Sequence, residues 1–169
     1  MSSQTSYQVL CVCLGNICRS PTAEVILQHY CDALDLNVWV DSAGTSNYHP
    51  HKAPDTRSQH YAKKRGYDLS ALRARQLTVQ DFMDFDLILA MDQQNLADII
   101  TLQNKALQYF ALDSLRAKVA LMSQYDLIFP QQAVPDPYYG EVEGFERVLD
   151  QCESSSQAWA KKIQQQLKG

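Results

Sequence analysis

The sequence predicts an α/β fold: a parallel sheet sandwiched between two layers of helices. Three observations carry this. Short β-branched apolar runs alternate with stretches of helical periodicity along the chain. Gly and Pro punctuate the changes from one pattern to the other. The length of 169 residues suits one domain, 1–169, burying roughly 70% of the surface its unfolded chain exposes. Such alternation implies βαβ units and parallel pairing.

Tyr7-Gln-Val-Leu-Cys-Val-Cys13 is apolar and is stopped by Gly15 and Asn16, so it reads as a buried strand. Residues 1–6 ahead of it are expected to form a flexible N-terminus. Pro21 opens a helical pattern through Ala23, Ile26, Leu27, Tyr30, Cys31 and Leu34, with Ser20 as the expected N-cap. Asn37 to Ser42 is a second strand, ended by Ala43-Gly44. A polar loop with Pro50 and Pro54 leads to a helix from about Asp55 to Arg65, ended by Gly66. Phe85 to Met91 is a third strand, Asp92 to Leu102 a helix, and Lys118 to Met122 a weaker fourth strand. After Pro135 to Gly140, a last helix lines up Phe145, Val148, Leu149, Cys152, Trp159, Ile163 and Leu167. Ser154-Ser-Ser156 should weaken its middle.

Composition removes several functional classes. The net charge of −4 argues against a nucleic-acid partner, which would select a basic face. No run of eighteen apolar residues exists to span a membrane, and no basic-then-apolar leader opens the chain, so the cytoplasm is the expected compartment. The five cysteines are odd in number, and Cys11, Cys13 and Cys18 crowd together. That pattern suits neither a disulfide scaffold nor zinc, so no metal is expected. It suits chemistry in a reducing compartment, or a buried strand. His49 and His51 read as surface-loop histidines.

In a parallel α/β sheet, ligands bind at the carboxyl ends of the strands. The first loop to inspect is therefore Cys13-Leu-Gly-Asn-Ile-Cys-Arg-Ser20. It runs from a strand to a helix, and Gly15 and Asn16 tolerate positive φ. Such a loop curls its N–H groups into an anion nest, and the helix dipole adds positive potential. The expected phosphate cradle is the backbone of Leu14, Gly15, Asn16, Ile17, Cys18, Arg19 and Ser20. Arg19 adds a planar fork for two oxygens. Cys13 sits at the bottom of the cup, where that potential favours its thiolate, a nucleophile aimed at a bound tetrahedral oxyanion.

Val12-Cys-Leu-Gly-Asn-Ile-Cys-Arg-Ser-Pro21 resembles the signature of the low-molecular-weight protein tyrosine phosphatases. The resemblance continues through Asp41-Ser-Ala-Gly-Thr45, Ala74-Arg-Gln76, Met91-Asp92 with Asn95, and Asp136-Pro-Tyr-Tyr-Gly140. It covers nearly the whole chain. It implies a sheet order 2-1-3-4 and phosphotyrosine hydrolysis through a cysteinyl-phosphate, with no cofactor. The substrate would be a phosphotyrosine-containing protein, with phosphate or other oxyanions also held in the loop. It also implies a monomer capable of weak self-association.

Asp136, stiffened between Pro135 and Pro137, is the expected general acid, because a departing phenolate needs a proton that a thiolate cannot give. By resemblance Asn16, Ser20 and Ser42 brace the loop, and Asp92 supports it. Leu14, Tyr48 and Tyr138 wall the cleft. Cys18 is the expected redox partner of Cys13. One departure stands out: Leu72 occupies a position where the family often has a bracing His, so the network should be smaller or differently completed.

Rival readings differ at identifiable positions. An arsenate reductase of the thioredoxin-coupled type needs relay cysteines, and residues 75–95 contain none. A protein-arginine phosphatase has a small polar residue where Ile17 stands. A flavodoxin-like binding module has no use for Cys13 with Arg19. A phosphotyrosine-binding pseudoenzyme would lack a reactive group, and here none is missing.

Overall fold

The computed structural model describes residues 5–138 and 140–169. Most of the expected flexible N-terminus, residues 1–4, lies outside them. Four parallel strands pair in the order β2-β1-β3-β4. They are β1 (Tyr7–Cys13), β2 (Val38–Gly44), β3 (Leu87–Ala90) and β4 (Lys118–Leu121). The helices are α1 (Arg19–Ala33), α2 (Thr56–Lys64), α3 (Asp81–Asp84), α4 (Gln93–Phe110) and α5 (Val142–Lys168).

Alternation along β1 divides the core in two. Val9, Cys11 and Cys13 face α1 and α5, packing with Ile26, Leu27, Val148, Leu149 and Trp159. Leu10 and Val12 face the other layer, with Ile88, Phe82, Ile99 and Ala106. Register sets Cys13 beside Gly44 and Val12 beside Ala90, so three strands end together under the first loop.

Several expectations need correction. β2 runs on through Gly44, because Gly44 N–H donates to Arg75 O and Leu77 N–H donates back to Gly44 O. α1 begins at Arg19 with no side-chain cap, so Ser20 lies inside its first turn. The interior position frees the Ser20 hydroxyl for the cup. α4 continues to Phe110 and ends on Ala111 at φ 54°. α5 is unbroken at its serines. Ser154 and Ser155 donate to the Asp126 carboxylate at 2.6 and 2.5 Å, which turns weak helix formers into anchors for the loop after β4. Among the described residues, no helix is long and apolar enough to cross a membrane.

Candidate active site

The loop between β1 and α1 is shaped from outside. Thr45 N–H donates to Cys13 O, Ser46 N–H to Leu14 O, and Asp55 N–H to Ile17 O, at 2.8–3.0 Å. Thr22 Oγ1 donates to Cys18 O at 2.7 Å. With these four carbonyls engaged outside the cup, the peptide N–H edge is available to an anion. Asn16 takes the left-handed backbone, φ 59°, as its residue type allows. Gly15 does not. Its lack of a side chain serves another end: a Cβ there would lie 3.1 Å from His49 Cδ2. Gly44 is tighter still. A Cβ on it would lie 2.7 Å from Leu14 O, against backbone, so only glycine lets β2 pass beneath the loop.

Cys13 is 3% exposed and lies at the base of the cup. Its Sγ is 3.0 Å from Ser20 Oγ and accepts from Asn16 N–H at 3.3 Å. Asn16 Nδ2 donates to Ser20 Oγ at 2.8 Å and to Ser42 Oγ at 3.0 Å. Ser42 in turn donates to Glu24 Oε1 at 2.7 Å. Asn16 Oδ1 accepts from Arg75 N–H at 3.0 Å. The network expected to shrink at Leu72 is thus completed by Glu24 and the Arg75 peptide, while Leu72 packs against the apolar core. Burial pushes the Glu24 carboxyl up to about 7, against the opposing pull of the Ser42 bond and Arg75.

Arg19 is 3% exposed, and its Nη1 donates to Asp92 Oδ2 at 2.6 Å and to Val134 O at 3.1 Å. Burial works against its charge, but Cys13, Asp92 and Asp136 raise its pKa above the ordinary value. Asp92 Oδ1 caps α4 by accepting from Asn95 N–H at 2.7 Å. Its carboxylate therefore locks Arg19 in place from a rigid helix end.

Asp136 stands across the cup, its side chain 41% exposed, with Oδ2 3.6 Å from Arg19 Nη2. Its Oδ1 accepts from Tyr138 N–H at 3.1 Å, an Asx turn that aims the carboxyl. Cys13, Leu14, Gly15, Ile17, Cys18, Arg19, Tyr48, Asp136 and Tyr138 all line one cleft. His49 lines it too, which corrects the reading of a surface-loop histidine. Its ring lies 5.9 Å from that of Tyr138 and 6.5 Å from that of Tyr48. Only the fold brings His49 against Gly15, so no spacing in the sequence could have found it. His51 stays exposed at φ 63°.

Cys18 is buried, and desolvation pushes its thiol up to about 12 despite a hydrogen bond with Ser58. Among the described residues no cluster of His, Cys, Asp and Glu is arranged to hold a metal.

The sequence model of the low molecular weight phosphotyrosine protein phosphatases matches residues 8–169. The human low molecular weight phosphotyrosine protein phosphatase is 40% identical over 168 residues, covering 96% of this chain and 99% of the human one. A protein tyrosine phosphatase from Entamoeba histolytica, solved with Hepes in its active site, superposes with a TM-score of 0.84 at 33% identity. The alignment covers 96% of this chain and 99% of that one. The Drosophila arginine phosphatase superposes at 0.80 with 31% identity, covering 92% and 96% of the two chains.

Proposed function

The chain belongs to the low molecular weight phosphotyrosine protein phosphatases, and from that premise we propose how its own residues hydrolyse phosphotyrosine. The observation that carries the reading is convergence: Cys13, Arg19 and Asp136 line one cleft whose walls include Tyr48 and Tyr138. The Cys13 thiolate attacks phosphorus in line, forming an S–P bond as the P–O bond to the phenol breaks. Asp136 gives its proton to the departing phenolic oxygen. Arg19 Nη1 is held by Asp92 and Val134, which leaves Nε and Nη2 for two equatorial oxygens. The loop N–H groups receive the rest of the shifting charge. Water then attacks the cysteinyl-phosphate, Asp136 takes its proton, and phosphate leaves. Leu14, Tyr48 and Tyr138 flank the aryl ring. Asn16, Ser20 and Ser42 brace the loop. The scheme calls on no metal or cofactor.

All of these groups come from one chain, so a monomer suffices. The five thiols are free and buried, in keeping with a reducing, cytoplasmic setting. The fold is shared with an arginine phosphatase. Ile17, packed with Phe145, Tyr61 and Tyr138, favours the aryl substrate instead.

Purified protein is to be assayed on phosphotyrosine and phosphoarginine peptides side by side, with Cys13→Ser as control. Turnover of phosphotyrosine, unaffected by a chelator and abolished in Cys13→Ser, is expected. Preference for phosphoarginine, or substantial activity in the variant, would overturn the reading.

A further inference from the structure

We propose that Arg57 is a positioning residue for the acid loop, coupling the peptide behind Asp136 to the nucleophile loop through Asp55. The proposal rests on the reading of Asp136 as general acid.

The connection can be followed bond by bond. Asp55 N–H donates to Ile17 O at 2.8 Å, which seats Asp55 on the nucleophile loop. Its carboxylate caps α2, accepting from Arg57 N–H at 2.8 Å and Ser58 N–H at 3.4 Å. The same carboxylate meets the Arg57 guanidinium as a fork, with Nε to Oδ1 at 3.1 Å and Nη2 to Oδ2 at 3.0 Å. Arg57 Nη2 then reaches over the cleft wall and donates to Tyr138 O at 2.9 Å. Tyr138 is the residue whose N–H holds Asp136 Oδ1.

The guanidinium is seated as well as bonded. It lies 4.8 Å from the centroid of Phe145 and 5.9 Å from that of Tyr138. Phe145 stacks on Tyr61 of α2, so its platform is rigid. Upstream of Asp136 the chain is pinned at Val134, which donates to Met91 O at 2.8 Å and accepts from Arg19. Arg57 supplies the matching anchor downstream. Asp136 is therefore clamped on both sides while its carboxyl stays open to the cleft.

An exposed ion pair contributes little to stability. Arg57 is 44% exposed, so its removal should leave the fold standing and loosen only the aim of Asp136. A general acid slightly out of place costs most where the leaving group needs the proton most.

The test compares kcat/KM on phenyl phosphate and 2,4-dinitrophenyl phosphate for the wild type, Arg57→Ala, Asp136→Asn and the double variant. Arg57→Ala should lose about tenfold on the poor leaving group and little on the activated one. In the Asp136→Asn background it should cost nearly nothing further. Asp55→Asn, which breaks the fork, should reproduce the signature, and Arg57→Lys should recover part of the loss through a single donor. Equal losses on both substrates, or the same loss in the Asp136→Asn background, would overturn the proposal. Failure of Asp136→Asn itself to discriminate between the substrates would instead overturn the general-acid reading. Melting curves of each variant verify that folded protein is being compared.

Discussion

Ser42 donates its hydroxyl to Glu24 while accepting from Asn16, and this pair joins the half-buried Glu24 carboxyl to Cys13 through three hydrogen-bonding side chains. Glu24 Oε1 accepts from the Ser42 hydroxyl at 2.7 Å. Ser42 must then spend its proton on Glu24, Asn16 must donate to both serines, and the Ser20 proton is left for Cys13 Sγ at 3.0 Å or Ala43 O at 3.3 Å. The polarity of the whole network is thus consistent from end to end.

Glu24 makes stability depend on pH in a predictable direction. Its carboxyl is raised from 4.5 to about 7, mainly by burial. Between those values the folded protein keeps a proton that the unfolded chain has released, so stability falls as pH rises across that window. Below it the contribution is fully present. Glu24→Gln keeps an acceptor for Ser42 and removes the titration. The difference in Tm, variant minus wild type, should therefore grow from about pH 4.5 to about pH 7 and then level off. A difference that is flat with pH would contradict the assignment.

Gly44 should be intolerant for a geometric reason. A Cβ there meets Leu14 O at 2.7 Å and Asn16 N at 3.2 Å, and neither atom can swing away as a side chain could. Gly44→Ala must push the loop between β1 and α1. The expected result is a fall in kcat/KM of about 10²-fold, out of proportion to a stability loss of about 1–3 kcal/mol. Kinetics beside a thermal melt would decide it, and near-normal activity would show that the loop gives way freely.

Asp126 anchors the segment that leads to the loop carrying Asp136. Burial opposes its charge, but Ser154, Ser155 and the Phe129 and Ile128 N–H groups hold its carboxyl below the usual 3.8. Asp126→Asn should cost about 3 kcal/mol at neutral pH, since charge-assisted bonds are lost. A depressed group stabilises above its ordinary pKa and loses that contribution as pH falls. The gap between variant and wild type should therefore narrow below about pH 4. Denaturant melts at several pH values would reveal a gap that fails to close.

What the sequence made readable was local. β1, its loop and the start of α1 lie within a few residues of one another, so strand pattern, Asn16 and Pro21 announce them together. Long-range partners were hidden. Arg57 meets Tyr138 across 81 positions, and Ser155 meets Asp126 across 29. Ser154-Ser-Ser156 looked like a weak point because helix propensity knows nothing of a carboxylate arriving from another loop. Gly15 suggested a positive φ, which Asn16 takes instead, and its lack of a side chain leaves room for His49. Leu72 signalled that the bracing network had changed, but only the fold shows Glu24 as the completing group.

Cys18 sets the last prediction. Peroxide should oxidise the Cys13 thiolate to a sulfenic acid, releasing water. Cys18, five residues on, lines the same cleft, which makes it the candidate to attack that sulfur. Its attack would form a disulfide and expel a second water. Burial holds the Cys18 thiol up at about 12, so little of it is thiolate at neutral pH and the trap should close slowly. Raising the pH should speed closure. Cys11 is fully buried in the sheet and burial pushes its thiol well above the ordinary value, so it is a poor competitor. After a brief peroxide pulse, dithiothreitol should restore most wild-type activity, with recovery increasing when the pulse is given at higher pH. Cys18→Ser should remain largely inactive, because its sulfenic acid goes on to irreversible oxides. Equal recovery in both proteins would leave Cys18 with a packing role beside Ile17, Ala74 and Phe145.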